Sequence, residues 1–578
     1  MKLKPISLLI ILGGIFFSLY LQGQVADGVY FSGDGGLKAL LAKQLAKGDL
    51  QFSLVLPEVS WVRELWNAGL YPYQEPYVYQ VLKKYYITFP YTFPLVTAPF
   101  YALFGYRGLY IIPLLSCWWI WLVFYIDCLK LRVGDLATAL GLICLIFGSY
   151  LTIYSAMYWE HTLAVALSFS GLSLWFFSPL KTNKFSAISN QKNKYRNFVE
   201  GKELRDRITK NSYDPTTYTS IISGFLIGLA VWFRPETVCV VVVMLGLAIL
   251  NFIIYYWQNL TFVDIKQLRA ILFSGKQQLC LVSAMLATVI GFFISNKIIY
   301  GYAVGIHGIQ VVESVTISDR LIAAWGNFTD MTVNLGLYFP ILAIPILYLL
   351  FYIVQKNFFS HLNLIQFTIL DIVIYLSIIA FVIGVSLLVP VGTSGLIAGG
   401  KQWGVRFLLL LVPVITLLAV IQFQRLQNHK YIRYFAIFLF ILLTAIGIHI
   451  NSLKGTQILK TNSKITAPIV NFIKTDNHQY IAVSHQFVAQ ELEASTSDGK
   501  IFFTVDTVDK LIQFAKAMIQ QQQNQFIYIC YPYRSCNLPN IESSNLQFKQ
   551  ENKNYEIRLT SQSQLGKYPL YKGNIVTQ

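Results

Sequence analysis

Long apolar runs alternate with short polar breaks over most of this chain, and their spacing sets the architecture. The first run, 1-MKLKPISLLIILGGIFFSLYLQG-23, places Lys2 and Lys4 ahead of an apolar stretch. No small-x-small site follows it cleanly and many spans come later, so it reads as an uncleaved signal anchor with its amino end inside. Ten further runs read as membrane helices, at 108–126, 134–152, 158–178, 219–235, 236–257, 278–296, 336–355, 368–390, 407–424 and 433–451. With the first they make about eleven spans, each near the roughly 20 residues that cross a bilayer. The stretch 93-FPLVTAPFYALFG-105 is short for a span and is expected to dip in from outside. Residues 23–107 then form one long external loop with embedded helices.

After Asn451 the apolar runs stop. Residues 454–578 carry strand-like runs at 480-YIAVSH-485, 500-KIFFTVD-506 and 525-QFIYICY-531, with the helix-like 508-VDKLIQFAKAMIQ-520 between the last two. Strand, helix, strand predicts a parallel unit. The expected organisation is a mainly α polytopic bundle over 1–453 and a small α/β domain over 454–578. Within the long loop, 57-PEVSWVRELWNAGLYPYQEPYVYQ-80 reads as interfacial helices lying on the membrane.

Charge fixes the orientation. Only 13% of residues are charged and the net charge is +17. The loop 180–218 holds nine Lys and Arg against four acids. It falls in the cytoplasm, with the loop 258–277 and the turn 425–433, only if 93–105 does not span. The basic excess is therefore a topology signal and implies no nucleic acid. Eleven spans from an inside start leave the C-terminal domain outside, where Cys530 and Cys536 would pair in an oxidising compartment or remain two thiols. The expected location is the plasma (inner) membrane.

Ionisable residues at the outer ends of spans are costly and point to pairing or function. Asp34, in 31-FSGDGGLKALLAKQLAKGD-49, is flanked by glycines that leave its carboxylate unhindered. It also precedes an amphipathic helix that it would cap. Glu160 and His161 open the span 158–178, where Glu160 complements a helix amino end. Arg234 and Glu236 flank Pro235, and pair with each other or serve a ligand; a guanidinium there suits a phosphate. Lys401 and Arg406, in 395-GLIAGGKQWGVRFLLL-410, stand outside against the charge trend. A glycine-rich cationic loop suits a lipid phosphate, and simple contact with anionic lipid is the plainer alternative. The loop 297–335, with His307, Glu313, Asp319, Arg320 and Asp330, is too mixed to assign.

The arrangement resembles the GT-C superfamily of integral membrane glycosyltransferases, in the branch of protein mannosyltransferases and aminoarabinose transferases. The motifs are a first span followed by GDGGLKALLAKQLAKG, then 89-FPYTFPLVTAPFYALFGYRGL-109, the acid Glu160, 224-GFLIGLAVWFRPE-236 and 399-GGKQWGVRF-407. The resemblance implies inverting transfer of a sugar from a polyprenyl-phosphate donor to an acceptor hydroxyl of a glycan, lipid or protein at the outer face. Asp34 would be the base, with Glu160 beside it. Arg234, Lys401 and Arg406 would hold the donor phosphate. His161, Glu236, Glu75, Gln402 and Trp403 would stand around the acceptor or behind these groups. Some members need a divalent metal and others do not, so Asp34 and Glu160 sharing one is an open option. A transporter or flippase of lipid-linked sugar predicts inverted repeats, which the chain lacks. A ligase or polymerase of lipid-linked glycans would share the cationic external site.

Overall fold

The structure, a computed structural model of the 578-residue chain, describes residues 4–177, 215–256, 275–312, 316–358, 367–389, 402–427, 430–496, 499–533 and 546–578. Among these, six helical stretches are long and apolar enough to cross a membrane, and five shorter apolar helices accompany them. Each of the eleven expected runs falls on one of the eleven. The basic loop 180–218 lies outside the described residues up to 214, and the loop 258–277 up to 274.

The first helix, α1 (Pro5–Gly23), opens with proline in its first turn, where the missing N–H costs nothing. The doubtful stretch forms α4 (Thr92–Phe104), a helix of 13 residues ended by Gly105 at φ 58°. Glycine is favoured at that left-handed position. A 3-10 turn then leads into α5 (Ile111–Lys130), followed by α6 (Asp135–Ile146) and α7 (His161–Phe177). α5, α6 and α7 with the helix Leu411–Leu426 surround the bundle core, where Trp121, Phe124, Leu145 and Ile415 are buried.

The long loop between α1 and α4 folds into α2 (Gly33–Ala46), α3 (Ser60–Leu65) and a hairpin of β1 (Val78–Val81) and β2 (Lys84–Ile87). Leu82 and Lys83 make the hairpin turn at φ 49° and 62°, both left-handed, as a two-residue turn matched to strand twist requires.

The segment 57–80 does not present its tryptophans as membrane-surface helices. Trp61 lies edge-on to Tyr480 and stacked on Phe503, and Trp66 Nε1 donates to the Phe502 carbonyl at 3.1 Å. Amphipathic rings suit a lipid interface or a protein groove equally, and here the C-terminal domain supplies the groove. Loop and domain share one hydrophobic core, from Val25, Leu41 and Trp66 to Val483, Phe503 and Ile527.

The last apolar helix, Lys430–Ile448, continues through a π turn, His449–Lys454, into Gly455–Thr475. The domain's six-stranded sheet follows, in the order β4-β3-β5-β8-β7-β6. Its strands β3 (Tyr480–Val483), β4 (Ile501–Thr504) and β5 (Gln525–Ile529) pair in parallel around the helix Val508–Gln520, as expected. Three strands were not anticipated: β6 (Leu546–Gln550), β7 (Lys553–Leu565) and β8 (Tyr568–Thr577) extend the sheet antiparallel. Cys530, just past β5, is disulfide-bonded; Cys536 lies outside the described residues, and among the described ones five other cysteines are free thiols.

Candidate functional site

Asp34 lies in the first turn of α2, and the cap position before it belongs to Ser32. The capping reading of Asp34 is thus corrected. Its carboxylate is aimed away from its own helix end, with Oδ2 3.3 Å from Arg406 Nη1. The glycines also have another use. A Cβ on Gly36 would stand 1.8 Å from the Gln490 carbonyl oxygen, and one on Gly33 2.6 Å from Gln490 Oε1. They let α2 press against the helix Gln486–Leu492 of the C-terminal domain. α2 is not a surface helix with one wet face: Leu37, Lys38, Ala39, Leu41, Ala42 and Leu45 are all buried, between α4 and that domain helix.

Lys38, one turn after Asp34, shares its face of α2. Its ammonium is 2% exposed and reaches Glu160 Oε2 at 2.5 Å. It also lies 4.2 Å from the centre of the Phe89 ring. Burial pushes the Lys38 ammonium down, while the Glu160 and Asp34 carboxylates oppose that shift. The sequence reading did not single out Lys38. The signal that separates it is its four-residue spacing from Asp34.

Glu160 precedes α7 and takes a second cation on its other oxygen: Arg234 Nη1 stands 3.1 Å from Oε1. The same nitrogen donates to His161 Nε2 at 2.7 Å, so the neutral imidazole carries its proton on Nδ1. Arg234 Nη2 meets Glu236 Oε1 at 3.1 Å, and His307 Nε2 lies 3.3 Å from that oxygen. Arg234 is itself the extended residue before the turn Pro235–Thr237, which joins the helices Pro215–Phe233 and Val238–Tyr256. Arg406 opens a 3-10 turn ahead of the helix Leu411–Leu426. Phe407 is shared by the two arginines, its ring centre 4.9 Å from the Arg406 guanidinium and 5.2 Å from that of Arg234.

Five of the expected residues, Asp34, Glu160, His161, Arg234 and Arg406, therefore converge, with Glu236 behind Arg234. Glu75 does not join them: it is exposed in the turn before Pro76. Gln402 is buried, and Trp403 packs edge-on to Tyr338. Lys401 lies outside the described residues. Three carboxylates, Asp34, Glu160 and Glu236, balance three cations, Lys38, Arg234 and Arg406. This set does not fit a metal shared by Asp34 and Glu160, since each acid already ends on cations. No group of three or more His, Cys, Asp or Glu is placed to hold an ion among the described residues.

Arg234, Arg406, His161 and Glu236 line one side of a small cavity whose remaining wall is largely apolar and includes Phe381 and Leu410. The same two residues line an apolar cavity below it, with Phe176 and Val243. Val243 and Ser377 in turn line an apolar groove of about 560 Å³ between the helices Val238–Tyr256 and Ile369–Leu388. Cationic cavity, apolar neck and apolar groove are thus adjoining.

No family model and no curated protein matches the sequence. Among solved structures, ArnT from Cupriavidus metallidurans in the apo state is similar at a TM-score of 0.50 and 10% identity, over 98% of this chain and 97% of that one. ArnT bound to undecaprenyl phosphate, from the same organism, is similar at 0.49 and 10%, over the same shares. The Archaeoglobus fulgidus oligosaccharyltransferase in the apo form gives 0.48 and 10%, over 90% of this chain and 69% of that one. At such identity the likeness to ArnT in the apo state is one of fold, and it spans nearly the whole of both chains.

Proposed function

We propose that the chain is an inverting glycosyltransferase that moves a sugar from a polyprenyl-phosphate donor to an acceptor hydroxyl at the outer membrane face. The observation that carries this reading is the Asp34–Arg406 contact beside a cationic cavity that adjoins an apolar groove. The donor phosphate binds at Arg406 and Arg234, and its prenyl chain follows the groove between Val238–Tyr256 and Ile369–Leu388. Phosphate on Arg406 competes with Asp34 for the same guanidinium, so donor binding frees the carboxylate when a base is needed. Asp34 then takes the acceptor hydroxyl proton as the oxygen attacks the anomeric carbon. The bond from that carbon to the phosphate oxygen breaks, its electron pair leaves with polyprenyl phosphate, and a single displacement inverts the centre. The leaving group is already acidic and needs no general acid. The arginines stabilise the charge that develops on it. The disulfide at Cys530 supports placing the C-terminal domain and the long loop outside the cytoplasm.

The test uses the purified protein in nanodiscs. Asp34→Asn is expected to keep undecaprenyl phosphate binding and to lose at least a hundredfold in turnover of a polyprenyl-phosphate sugar. Arg406→Ala is expected to weaken undecaprenyl phosphate binding about tenfold or more, on the scale of a charge-assisted contact. Near-normal turnover of Asp34→Asn sinks the base assignment; undiminished lipid binding by Arg406→Ala sinks the phosphate site.

A further inference from the structure

Five aromatic rings gather where the C-terminal domain meets the external loop. His485 and Tyr531 stack at 5.0 Å and 24°, and Phe487 lies edge-on to Tyr531 at 5.6 Å. Tyr77 of the loop lies edge-on to Phe487 at 5.4 Å, and Tyr533 edge-on to Tyr531 at 5.5 Å. His485 Nδ1 accepts the Phe487 N–H at 3.2 Å, which puts the neutral ring's proton on Nε2. Burial is graded along the cluster: Tyr77, His485, Phe487 and Tyr531 are half-buried, while Tyr533 is 61% exposed. The rings begin close to Asp34. Burial pushes the Tyr77 hydroxyl up to about 12, the Asp34 carboxylate adding to the rise and Arg406 opposing it. The cluster is also held rigidly, because the Gln74 N–H donates to Gln486 Oε1 at 3.0 Å and Gly36 docks the same domain helix against α2.

We propose that this aromatic cluster is the acceptor subsite and that the acceptor is a carbohydrate whose pyranose rings lie against it. The proposal rests on the transferase reading above and names the substrate class that reading leaves open. A pyranose has a face of C–H bonds and a rim of hydroxyls. The electron-rich face of an aromatic ring attracts the former, while the rim stays wet or meets the His485 imidazole. Rings already fixed by packing cost little ordering entropy when a ligand stacks on them. A peptide acceptor read as an added strand needs a free sheet edge. The cluster instead sits past the end of β5, an inner strand flanked by β3 and β8. The donor tail has its own groove on the membrane side, so the aromatic side of Asp34 remains for the attacking hydroxyl.

Saturation-transfer NMR on the full-length protein in nanodiscs tests this with methyl β-glucopyranoside, methyl α-mannopyranoside and a Ser/Thr hexapeptide as probes. Saturation is expected to reach the ring C–H protons of at least one pyranoside. It should fall at least fivefold in Tyr533→Ala and return in Tyr533→Trp; the side chain is exposed, so neither substitution should disturb folding. Three results overturn the proposal: no saturation of either pyranoside, saturation unaffected by Tyr533→Ala, or saturation of the peptide instead. Undecaprenyl phosphate binding is measured on the same samples. A chain that binds the lipid and no pyranoside overturns this proposal alone. One that binds a pyranoside at the rings and no lipid overturns the transferase reading alone.

Discussion

Lys38 and Glu160 are the residues on which the site's charge balance turns. A buried ion pair contributes little beyond an apolar pair of the same size, but removing one member strands the other. Lys38→Met leaves Glu160 with Arg234 alone, and is expected to cost about 3 kcal/mol, the lower end for a broken buried pair. The double variant Lys38→Met with Glu160→Met removes one charge of each sign and leaves Arg234 on Glu236. It should unfold later than Lys38→Met alone, read as a higher thermal midpoint in the same detergent; costs that simply add would refute the coupling. Most of this cluster was legible in the sequence, because Asp34, Glu160, Arg234 and Arg406 are charges at the ends of apolar runs. Lys38 was not, since a lysine among leucines in an extramembrane helix usually marks a solvated face. Its burial comes with Glu160, 122 residues away along the chain, and the Phe89 ring, and no local pattern encodes that.

At the scale of elements, what was legible divides by the kind of pattern that carries it. Apolar runs predict membrane helices because the bilayer demands length and little else, and all eleven runs correspond to helices. The parallel strands β3, β4 and β5 were visible as short apolar runs, being buried on both faces. The strands β6, β7 and β8 were missed because only alternate positions are apolar, as in 553-KNYEIRL-559, against a polar background. Their signal was the turn at Glu551 and Asn552, both at left-handed φ, where asparagine is favoured. The groove between Val238–Tyr256 and Ile369–Leu388 was not legible at all, since it belongs to two helices more than 100 residues apart. It yields an element-scale prediction. A Cβ on Gly246, which lines the groove, meets nothing within 4 Å, so a side chain has room to start there and Gly246→Trp is expected to occupy the groove. Excluding two prenyl CH2 groups from burial costs about 1.6 kcal/mol, or about tenfold in undecaprenyl phosphate affinity, while acceptor binding should not change. Unaltered lipid affinity would put the prenyl chain elsewhere.

Across the whole molecule, the bundle and the sheet domain are joined twice, by the helical run from Lys430 to Thr475 and by the shared core beneath the long loop. Glu493, in that second junction, accepts from the Tyr73 hydroxyl, and burial pushes its carboxyl up to about 7 from 4.5, with that hydrogen bond and then Lys43 opposing. The sign follows from the raised value. Between about 4.5 and 7 an unfolded chain has lost the proton that the folded chain keeps, so stability falls as pH rises through that window and levels off above it. Glu493→Gln should flatten this part of the profile, as read from thermal midpoints at pH 5, 6, 7 and 8; an unchanged slope would assign it to another group. The shared core also has a consequence in time. Val25, Leu41 and Trp66 are completed by Ile481, Phe503 and Ile527, so the loop leaves the ribosome well before the strands that complete its core. At roughly 5–20 residues per second, the intervening 400 or so residues take about 20–80 seconds to make. Throughout that interval the loop's tryptophans and tyrosines stay uncovered, in need of a chaperone or a lipid surface as temporary cover.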